Sequence, residues 1–226
     1  MKVSIIIPMF NNWHLTHSRL MDIYAHVHEK VQIIVVDDAS TEDIDGPIDW
    51  WLTQKKHQII YVRSPKNMGF GCSMNTGVQT ATTDVVILLS NDVIIKGELI
   101  KPLLMKLNQN AKLLLGDQLY DYDTGWNNLN INGKMRLFPY LAGYLLACKR
   151  QTFVELGGFD DRYEKFDVED VDLSTTALYL GYGIEAVKLP VIHISGATVR
   201  KEYPDRERYT RINQERFVEK WSKLLK

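Results

Sequence analysis

The hydrophobic positions in the first half of the chain alternate between short continuous apolar runs and longer stretches with helical spacing. The runs KVSIII, VQIIVVDD, QIIYVRS and TDVVILLSND are rich in Val and Ile, and they predict strands that are buried on both faces. We expect the first strand to end at Pro8, because proline cannot donate a ladder hydrogen bond. From about His14 to Lys30 the spacing predicts a helix. Its apolar face contains Leu20, Ile23, Tyr24 and Val27.

Further helices are predicted in IDWWLTQKK and GELIKPLLMKLNQ, a loop that enters a helix in GFGCSMNTGVQTA, and a strand in AKLLLGDQL. Strands that are apolar throughout and separated by helices predict an α/β fold. In such a fold a mainly parallel sheet is covered by helices on both faces.

The second half of the chain has a less regular pattern. From Tyr120 to Tyr140 the sequence is rich in Asn, Asp, Gly and aromatics, which predicts a loop or an irregular β excursion. Trp126 lies in this segment, where it either packs or flanks a sugar. A strand (GYLLACK), two helices (KRQTFVELGG and VEDVDLSTTALYLGYG), a strand (IEAVKLPVIHI) and a basic terminal helix are predicted to follow.

Composition adds limits to this picture. With 226 residues, 45% of them hydrophobic, and a net charge of −1, the chain predicts one globular domain and does not favour nucleic acid as a partner. From residue 200 onward it carries nine Lys/Arg against five Asp/Glu. This basic tail forms either a solvated helix face or a surface that meets phosphates. Cys72 and Cys148 imply no disulfide framework. No signal peptide or membrane-spanning run is present in the sequence, so we expect a cytoplasmic protein.

The predicted strands end in polar residues. Ligands of such sheets bind beyond the carboxyl ends of the strands, so the endings IIIPMFNN, VVDDAS, RSPKNMGFG and LLSND together predict a site. Asp37 and Asp38 are either a turn-forming pair or include a carboxylate that accepts the imide N–H of uracil or thymine. Asp92 is either a turn former or an oxygen ligand of Mg²⁺ or Mn²⁺. GFG is not a dinucleotide fingerprint, because Met74 stands where the third glycine belongs.

The stretch KFDVEDVDLS concentrates like charge beside residues that favour burial. Its carboxylates are Asp167, Glu169, Asp170 and Asp172. If a helix begins near Val168, Asp167 is its N-cap, and Glu169 and Asp170 fall in the first turn, where the helix dipole favours them. A carboxylate fixed at a buried helix start and facing a cleft is also a candidate general base.

These segments together resemble a known family. VSIIIPMFN, VVDDAS, KNMGFGCSMNTG, LLSNDV, GGFDDRY, FDVEDVDL and VIHISG are similar, in this order and spacing, to the family-2 glycosyltransferases of the GT-A fold. The resemblance runs from residue 3 to about 196, and RINQERFVEKW resembles the usual tail. It implies a Rossmann-like, mainly parallel sheet with a small irregular acceptor-side portion. Within one domain, 1–226, it implies a nucleotide-sugar half (about 1–118), an acceptor and catalytic half (about 119–200) and a basic helix (about 201–226).

The resemblance also implies roles for individual residues. The implied nucleotide-sugar-binding residues are Pro8, Phe10, Asn11, Asp38, Asn67, Gly69 and Asn91. Asp92 and His193 are the implied ligands of Mn²⁺ or Mg²⁺, although for a histidine at the position of His193 a place at the edge of the core is the commoner case. Asp170 is the implied catalytic base, and Glu169 is the neighbour that positions it and the acceptor. Because Ser90 replaces an acidic or Asn residue of the metal motif, we expect loose metal binding that needs the diphosphate.

The implied function is inverting, metal-assisted transfer of a sugar from a UDP- or dTDP-sugar to an acceptor hydroxyl. The acceptor is a saccharide, a protein or a modified nucleobase; nucleic acid is disfavoured but left open. Arg200 and Lys201 either close over the phosphates or belong to a solvated loop. A catalytically silent nucleotide-sugar or glycan-binding module would share the fold. A nucleotidyltransferase would need a Gly- and Arg-rich loop where PMFNNWH stands.

Overall fold

The computed structural model describes residues 1–125, 127–194 and 202–225. The strands are β1 (Val3–Met9), β2 (Gln32–Asp37), β3 (Gln58–Arg63), β4 (Val85–Leu89), β5 (Val93–Ile95), β6 (Leu113–Gly116), β7 (Leu119–Tyr120), β8 (Asn128–Ile131), β9 (Lys134–Leu137), β10 (Tyr140–Leu141), β11 (Leu145–Lys149), β12 (Gly183–Ala186) and β13 (Val191–His193). The helices are α1 (Trp13–His26), α2 (Asp45–Leu52), α3 (Phe70–Thr80), α4 (Ile100–Gln109), α5 (Arg150–Glu155), α6 (Glu169–Tyr179) and α7 (Arg206–Leu224).

The centre of the fold is a seven-stranded sheet in the order β12-β6-β11-β4-β1-β2-β3. The strands β1, β2, β3 and β4 pair in parallel, whereas β11 runs antiparallel to both β4 and β6. Successive side chains of a strand point to opposite faces, so Ile5 and Ile6 lie in two different cores. Helices α1, α2 and α4 cover one face and α3, α5 and α6 the other. The predicted mainly parallel α/β sheet with helices on both faces is confirmed.

Several predicted boundaries were wrong. Strand β1 continues through Pro8 to Met9; β4 pairs with it only as far as Ile6, so Pro8 lies where β1 has a single neighbouring strand. Helix α1 ends at His26, four residues before the predicted end. The predicted strand IEAVKLPVIHI is two strands, because β12 joins the central sheet and β13 pairs with β5 elsewhere.

The irregular segment between Tyr120 and Tyr140 forms short strands, as one of the two predictions stated. Strands β8 and β9 make a hairpin, and β7 pairs with β10. Helix α7 covers this region through Phe217 and Trp221, which pack in a third apolar cluster with Val168 and Val171. In the ranges that the structure describes, no helix has the length and apolar character needed to cross a bilayer.

Candidate active site

Two cavities adjoin at the carboxyl ends of β1, β2 and β4. The first, which we call the Asp38 cavity, is lined by Pro8, Phe10, Asp38, Gly69, Asn91, Lys165 and Tyr203, among others. The second, the Asp170 cavity, is lined by Tyr120, Tyr140, Gly143, Tyr144, Glu169, Asp170, His193 and Arg206, among others. Phe70, Ser90, Asp92 and Phe166 line both, so the two cavities share a wall.

The Asp37–Asp38 pair divides into a structural and a cavity-facing carboxylate. Asp37 is fully buried and accepts hydrogen bonds from the Ser40 N–H, the Tyr61 hydroxyl and the Arg63 guanidinium. Asp38 lines its cavity. Burial raises the pKa of Asp38, and two backbone N–H groups that bond it act in the opposite direction.

These two amides belong to Met68 and Gly69, and each lies 2.7 Å from one oxygen of Asp38. Gly69 has a φ of +95°, and a Cβ there would lie 2.7 Å from the Cα of Lys165. Only glycine therefore fits at this position. The Phe70 N–H also donates to the Lys165 carbonyl, at 2.7 Å. The loop that carries Gly69 is thus fastened to Asp38 on one side and to the start of the acidic stretch on the other.

The segment 202–203, which sequence analysis did not connect with the site, lies against three of the predicted nucleotide-binding residues. The Tyr203 ring is 5.9 Å from that of Phe10, and its hydroxyl accepts a 2.7 Å bond from the Asn67 amide. The Asn11 amide donates to the Glu202 carboxylate at 2.9 Å. Phe10 lines the Asp38 cavity, whereas Asn11 and Asn67 contact this segment instead. Asn67 and Tyr203 are 136 residues apart in the sequence, so no local sequence pattern predicts their contact.

Asp92 and His193 are brought together by strand pairing. Strand β13 pairs antiparallel with β5 so that His193 is the partner of Val93, next to Asp92. The His193 Nε2 lies 3.4 Å from the Asp92 Oδ1, and the Ser90 hydroxyl donates to the same oxygen at 2.7 Å. Ser90 thus orients the Asp92 carboxylate through this hydrogen bond.

The donor set fits a cation that is shared with a substrate. Among the described residues, no group of three or more His, Cys, Asp or Glu is placed to hold a metal ion. Asp92 and His193 would offer such a cation two ligands, and phosphate oxygens or water would supply the others. The Asn91 amide nitrogen donates to the Thr16 hydroxyl at 3.1 Å. Arg200, Lys201 and Trp126 lie outside the described residues.

Asp170 is held by two backbone amides at the start of α6. Its carboxylate accepts the Gly143 N–H at 2.9 Å and the Val171 N–H at 2.8 Å. Burial raises the pKa of Asp170 to about 6, although these two amides favour the ionised form. A carboxylate with this pKa is ionised at neutral pH and is basic enough to take a proton, as a general base requires.

Glu169 is the more deeply buried neighbour. It is 7% exposed, and its Oε2 has no hydrogen-bond partner among the described residues. Burial raises the pKa of Glu169 well above the ordinary range, and the charges of Asp170 and Asp167 raise it further. Burial thus disfavours the charged form of both carboxyl groups, and more strongly at Glu169.

The prediction that Asp167 caps α6 was wrong. The helix begins at Glu169, and Val168 occupies the N-cap position without a side-chain cap. Asp167 instead pairs with the Arg206 guanidinium through bonds of 2.6 and 3.0 Å, and it accepts the Thr210 hydroxyl at 2.7 Å. Val168 has a φ of +74°, a conformation that a β-branched residue rarely adopts. The contacts of α7 with Asp167 hold this strained connection in place beside Asp170.

Comparison with known proteins identifies the family. The model of glycosyl transferase family 2 matches residues 4–168, about three quarters of the chain. The chain belongs to glycosyl transferase family 2.

This family-2 chain is 24% identical over 178 residues to Glycosyltransferase GlyA of Streptococcus pneumoniae, covering 69% of the chain and 25% of that protein. It is 23% identical over 217 residues to Inactive polypeptide N-acetylgalactosaminyltransferase-like protein 5 of Macaca fascicularis, covering 82% of the chain and 49% of that protein. The chain thus spans a quarter to a half of these relatives.

Solved structures support the GT-A fold of this family-2 chain. Mannosyltransferase PcManGT from Pyrobaculum calidifontis, solved with GDP-Man and Mn²⁺, matches at a TM-score of 0.66 and 20% identity, covering 82% of this chain and 54% of that one. GalNAc-T7, solved with UDP, GalNAc and Mn²⁺, matches at a TM-score of 0.70 and 17% identity, covering 85% and 43%. At these identities the likeness establishes the fold.

The family-2 match ends at residue 168, between the two groups of candidate residues. Asp38, Gly69 and Asp92 lie within the matched range. Asp170 and His193 lie beyond it, so their assignment depends on the geometry of the Asp170 cavity.

Proposed function

We propose that this family-2 chain is an inverting glycosyltransferase that moves a sugar from a UDP- or dTDP-sugar to an acceptor hydroxyl, with Asp170 as general base. The observation that supports this most is that the two cavities share a wall at Asp92. A donor whose base lies near Asp38 and whose diphosphate lies near Asp92 would present its sugar to the Asp170 cavity. An acceptor in that cavity would then attack from the side of the base.

The donor would be held mainly by the Asp38 cavity. Each oxygen of Asp38 accepts one backbone N–H and keeps a second lone pair, which can accept the imide N–H of uracil or thymine. Cytosine has no proton on that ring nitrogen. The structural neighbours carry different bases, UDP in GalNAc-T7 and GDP in PcManGT, so the base is the part of the donor that needs testing.

In the proposed reaction Asp170 takes the proton of the acceptor hydroxyl as that oxygen attacks the anomeric carbon from the face opposite the leaving group. The Gly143 and Val171 amides hold the carboxylate in one orientation, which favours in-line proton transfer. A divalent cation held by Asp92 and His193 would supply charge stabilisation for the departing diphosphate.

Thermal unfolding with nucleotides tests this proposal. We expect UDP and dTDP, each with Mn²⁺, to stabilise the protein more than CDP or GDP. A ligand at 100 times its Kd adds about 2.7 kcal/mol, which is easily measured. Asp38→Ala is the matched variant and should lose the preference for UDP over CDP. Equal stabilisation of the unsubstituted protein by all four nucleotides would contradict the assignment.

One relative favours a second candidate, a nucleotide-sugar-binding module without catalysis. This relative is called inactive by its own name. In the described part of the present chain, no group of three or more His, Cys, Asp or Glu is placed to hold a metal ion. Release of free sugar from a UDP-sugar separates the two functions. The enzyme should hydrolyse its donor slowly with Mn²⁺ and stop on Asp92→Asn, whereas the silent module should bind UDP without any turnover.

A further inference from the structure

The imidazole of His193 lies against an aromatic ring that has no part in the proposed reaction. The rings of Tyr144 and His193 are stacked, with their centroids 4.1 Å apart and an interplanar angle of 25°. Strand pairing fixes the backbone of His193, but the χ2 torsion of a histidine is broad and leaves the plane of the ring undetermined. The His193 side chain is also 27% exposed. The Tyr144 ring therefore supplies a restraint on the imidazole that the backbone does not.

The Tyr144 ring is itself anchored at its far end. Its hydroxyl donates to the Asp117 Oδ2 at 2.8 Å. The Asp117 Oδ1 accepts the Leu189 N–H at 3.0 Å, and Leu189 lies two residues before β13, the strand that carries His193. Burial and the bond to Asp117 raise the pKa of Tyr144, so its hydroxyl stays a donor. Asp117 thus holds both the ring that covers His193 and the chain that leads to it.

The backbone of Tyr144 reaches the other proposed ligand of the cation. Its carbonyl accepts the Ser90 N–H at 2.8 Å. The Ser90 hydroxyl in turn donates to the Asp92 Oδ1, the oxygen that lies 3.4 Å from the His193 Nε2. Tyr144 therefore contacts the histidine through its ring, and through its backbone it contacts the serine that orients the carboxylate.

We propose that Tyr144, anchored by Asp117, is a positioning residue for the cation of the donor: its ring keeps the His193 Nε2 directed towards Asp92. This rests on the proposed function, in which Asp92 and His193 hold that cation. Groups that orient a metal-binding histidine from outside the ligand set are worth about 10- to 100-fold in metal affinity or activity. Tyr144 should accordingly affect how much the metal improves donor binding, and it should do so through His193.

The orientation of the imidazole can be followed without metal or donor. The chain has six histidines, and the ring protons of His193 are identified by NMR as the signals that are missing from His193→Ala. A stacked aromatic ring shifts such protons to high field. At one fixed pH we expect them to move to low field in Tyr144→Leu and to stay near their original place in Tyr144→Phe, which keeps the ring. Unmoved His193 signals in Tyr144→Leu would overturn the proposal.

The effect on the metal is measured as the Mn²⁺ gain, which is the Kd of UDP without Mn²⁺ divided by its Kd with saturating Mn²⁺. UDP binding without metal shows that each variant is folded. Tyr144→Leu should lower the gain about three- to tenfold, the range that the loss of one aromatic stack gives. Tyr144→Phe loses only the bond to Asp117 and should lower it less. Tyr122→Leu, at an exposed tyrosine that lines neither cavity, is the matched control and should leave the gain unchanged.

A double-mutant cycle separates positioning from a general structural role. If Tyr144 acts through the imidazole, Tyr144→Leu should lower the Mn²⁺ gain in the unsubstituted protein and have no further effect in His193→Ala. An equal loss in both backgrounds would mean that Tyr144 acts through some other group, and the proposal would fall. It would fall as well if Tyr144→Leu or His193→Ala kept the full gain.

Failure of the proposed function would give a different pattern. A nucleotide-sugar-binding module without catalysis would transfer no sugar and release none from its donor. Its Mn²⁺ gain and its His193 signals would still depend on Tyr144. The positioning role and the catalytic role are therefore tested by separate measurements.

Discussion

Asp38 and Asp170 are anchored alike and placed differently. Each carboxylate accepts two backbone N–H groups, from Met68 and Gly69 in one case and from Gly143 and Val171 in the other. Asp38 is 4% exposed and closes the loop of Gly69 against the sheet, whereas Asp170 is more exposed and faces the wider cavity. Burial raises the pKa of both. The same anchorage thus leaves Asp38 surrounded by protein, as its proposed role in recognition requires, and leaves Asp170 within reach of an incoming group, as its proposed role in chemistry requires.

The largest expected effect comes from Asp170→Asn. The substitution keeps the shape and removes the proton acceptor, so sugar transfer should fall by roughly 10²- to 10⁴-fold. Donor affinity should change little, because Asp38 and its amides are untouched. Single-turnover transfer and UDP titration measure the two quantities. The exposed Asp161→Asn is the control, and near-native transfer by Asp170→Asn would assign the base elsewhere.

Asp92→Asn tests the wall between the two cavities. An amide is a poorer ligand of a hard cation than a carboxylate, so Mn²⁺-dependent donor binding should weaken by about 10- to 100-fold. Ser90→Ala should have a smaller effect in the same direction, since it removes only the 2.7 Å bond that orients Asp92. Calorimetry with Mn²⁺ alone should show weak binding. Tight Mn²⁺ binding to the nucleotide-free protein would refute the proposal that the cation needs the donor diphosphate as a further ligand.

The pH dependence of transfer distinguishes the titration of Asp170 from that of Asp38. Because Asp170 must be ionised to accept a proton and its pKa is raised to about 6, kcat/KM should be level above pH 6. Below that pH it should fall about tenfold per unit as the carboxylate takes up a proton. UDP affinity must be measured at each pH, since Asp38 also titrates. If the acid limb of kcat/KM simply followed the loss of UDP binding, Asp170 would not be its cause.

Asp38→Ala should act on stability and on nucleotide choice together. The Met68 and Gly69 amides would lose their acceptor, which costs about 1–3 kcal/mol for an unpaired buried group. The preference for UDP over CDP should disappear in the same variant. Denaturant unfolding and nucleotide titration give the two readings. A variant that is destabilised yet keeps its preference would leave Asp38 with a purely structural role.

The smallest expected effect is a gain in stability from Glu169→Gln. The raised pKa means that folded Glu169 keeps a proton that the unfolded chain releases, so stability falls as the pH rises above the ordinary glutamate range. Glutamine is neutral in both states and avoids this loss. At neutral pH the melting temperature should rise by roughly 2–4 °C, the shift that about 1 kcal/mol gives in a chain of this size.

The gain should vanish towards pH 4, where the unfolded chain is protonated as well. Glu215→Gln, at an exposed position of α7, is the control and should change nothing. A Glu169→Gln variant that is less stable at neutral pH than the unsubstituted protein would mean that Glu169 is charged and paired.

The sequence was sufficient for those parts of the site that depend on local pattern. Runs of Val and Ile define the central strands, and polar residues at their ends, such as Asp38 and Asp92, had to meet at one edge of the sheet. Contacts between distant segments could not be foreseen. A helix-start pattern suggested that Asp167 is a cap, but Arg206, 39 residues later, takes that carboxylate. Tyr203 likewise lines the Asp38 cavity through contacts with a distant segment, because it accepts a hydrogen bond from Asn67.

The attachment of α7 has a practical consequence for anyone who expresses part of this protein. Asp172 of α6 is buried, and its carboxylate is bonded by the Lys220 ammonium at 2.7 Å and by the Trp221 indole N–H at 2.8 Å. A fragment cut at residue 168, where the family match stops, would lack α6 and with it Asp170. One cut just after β13 would keep α6 but remove both partners of the Asp172 carboxylate. Useful fragments must therefore extend past Trp221, and a C-terminal tag belongs beyond the last turn of α7.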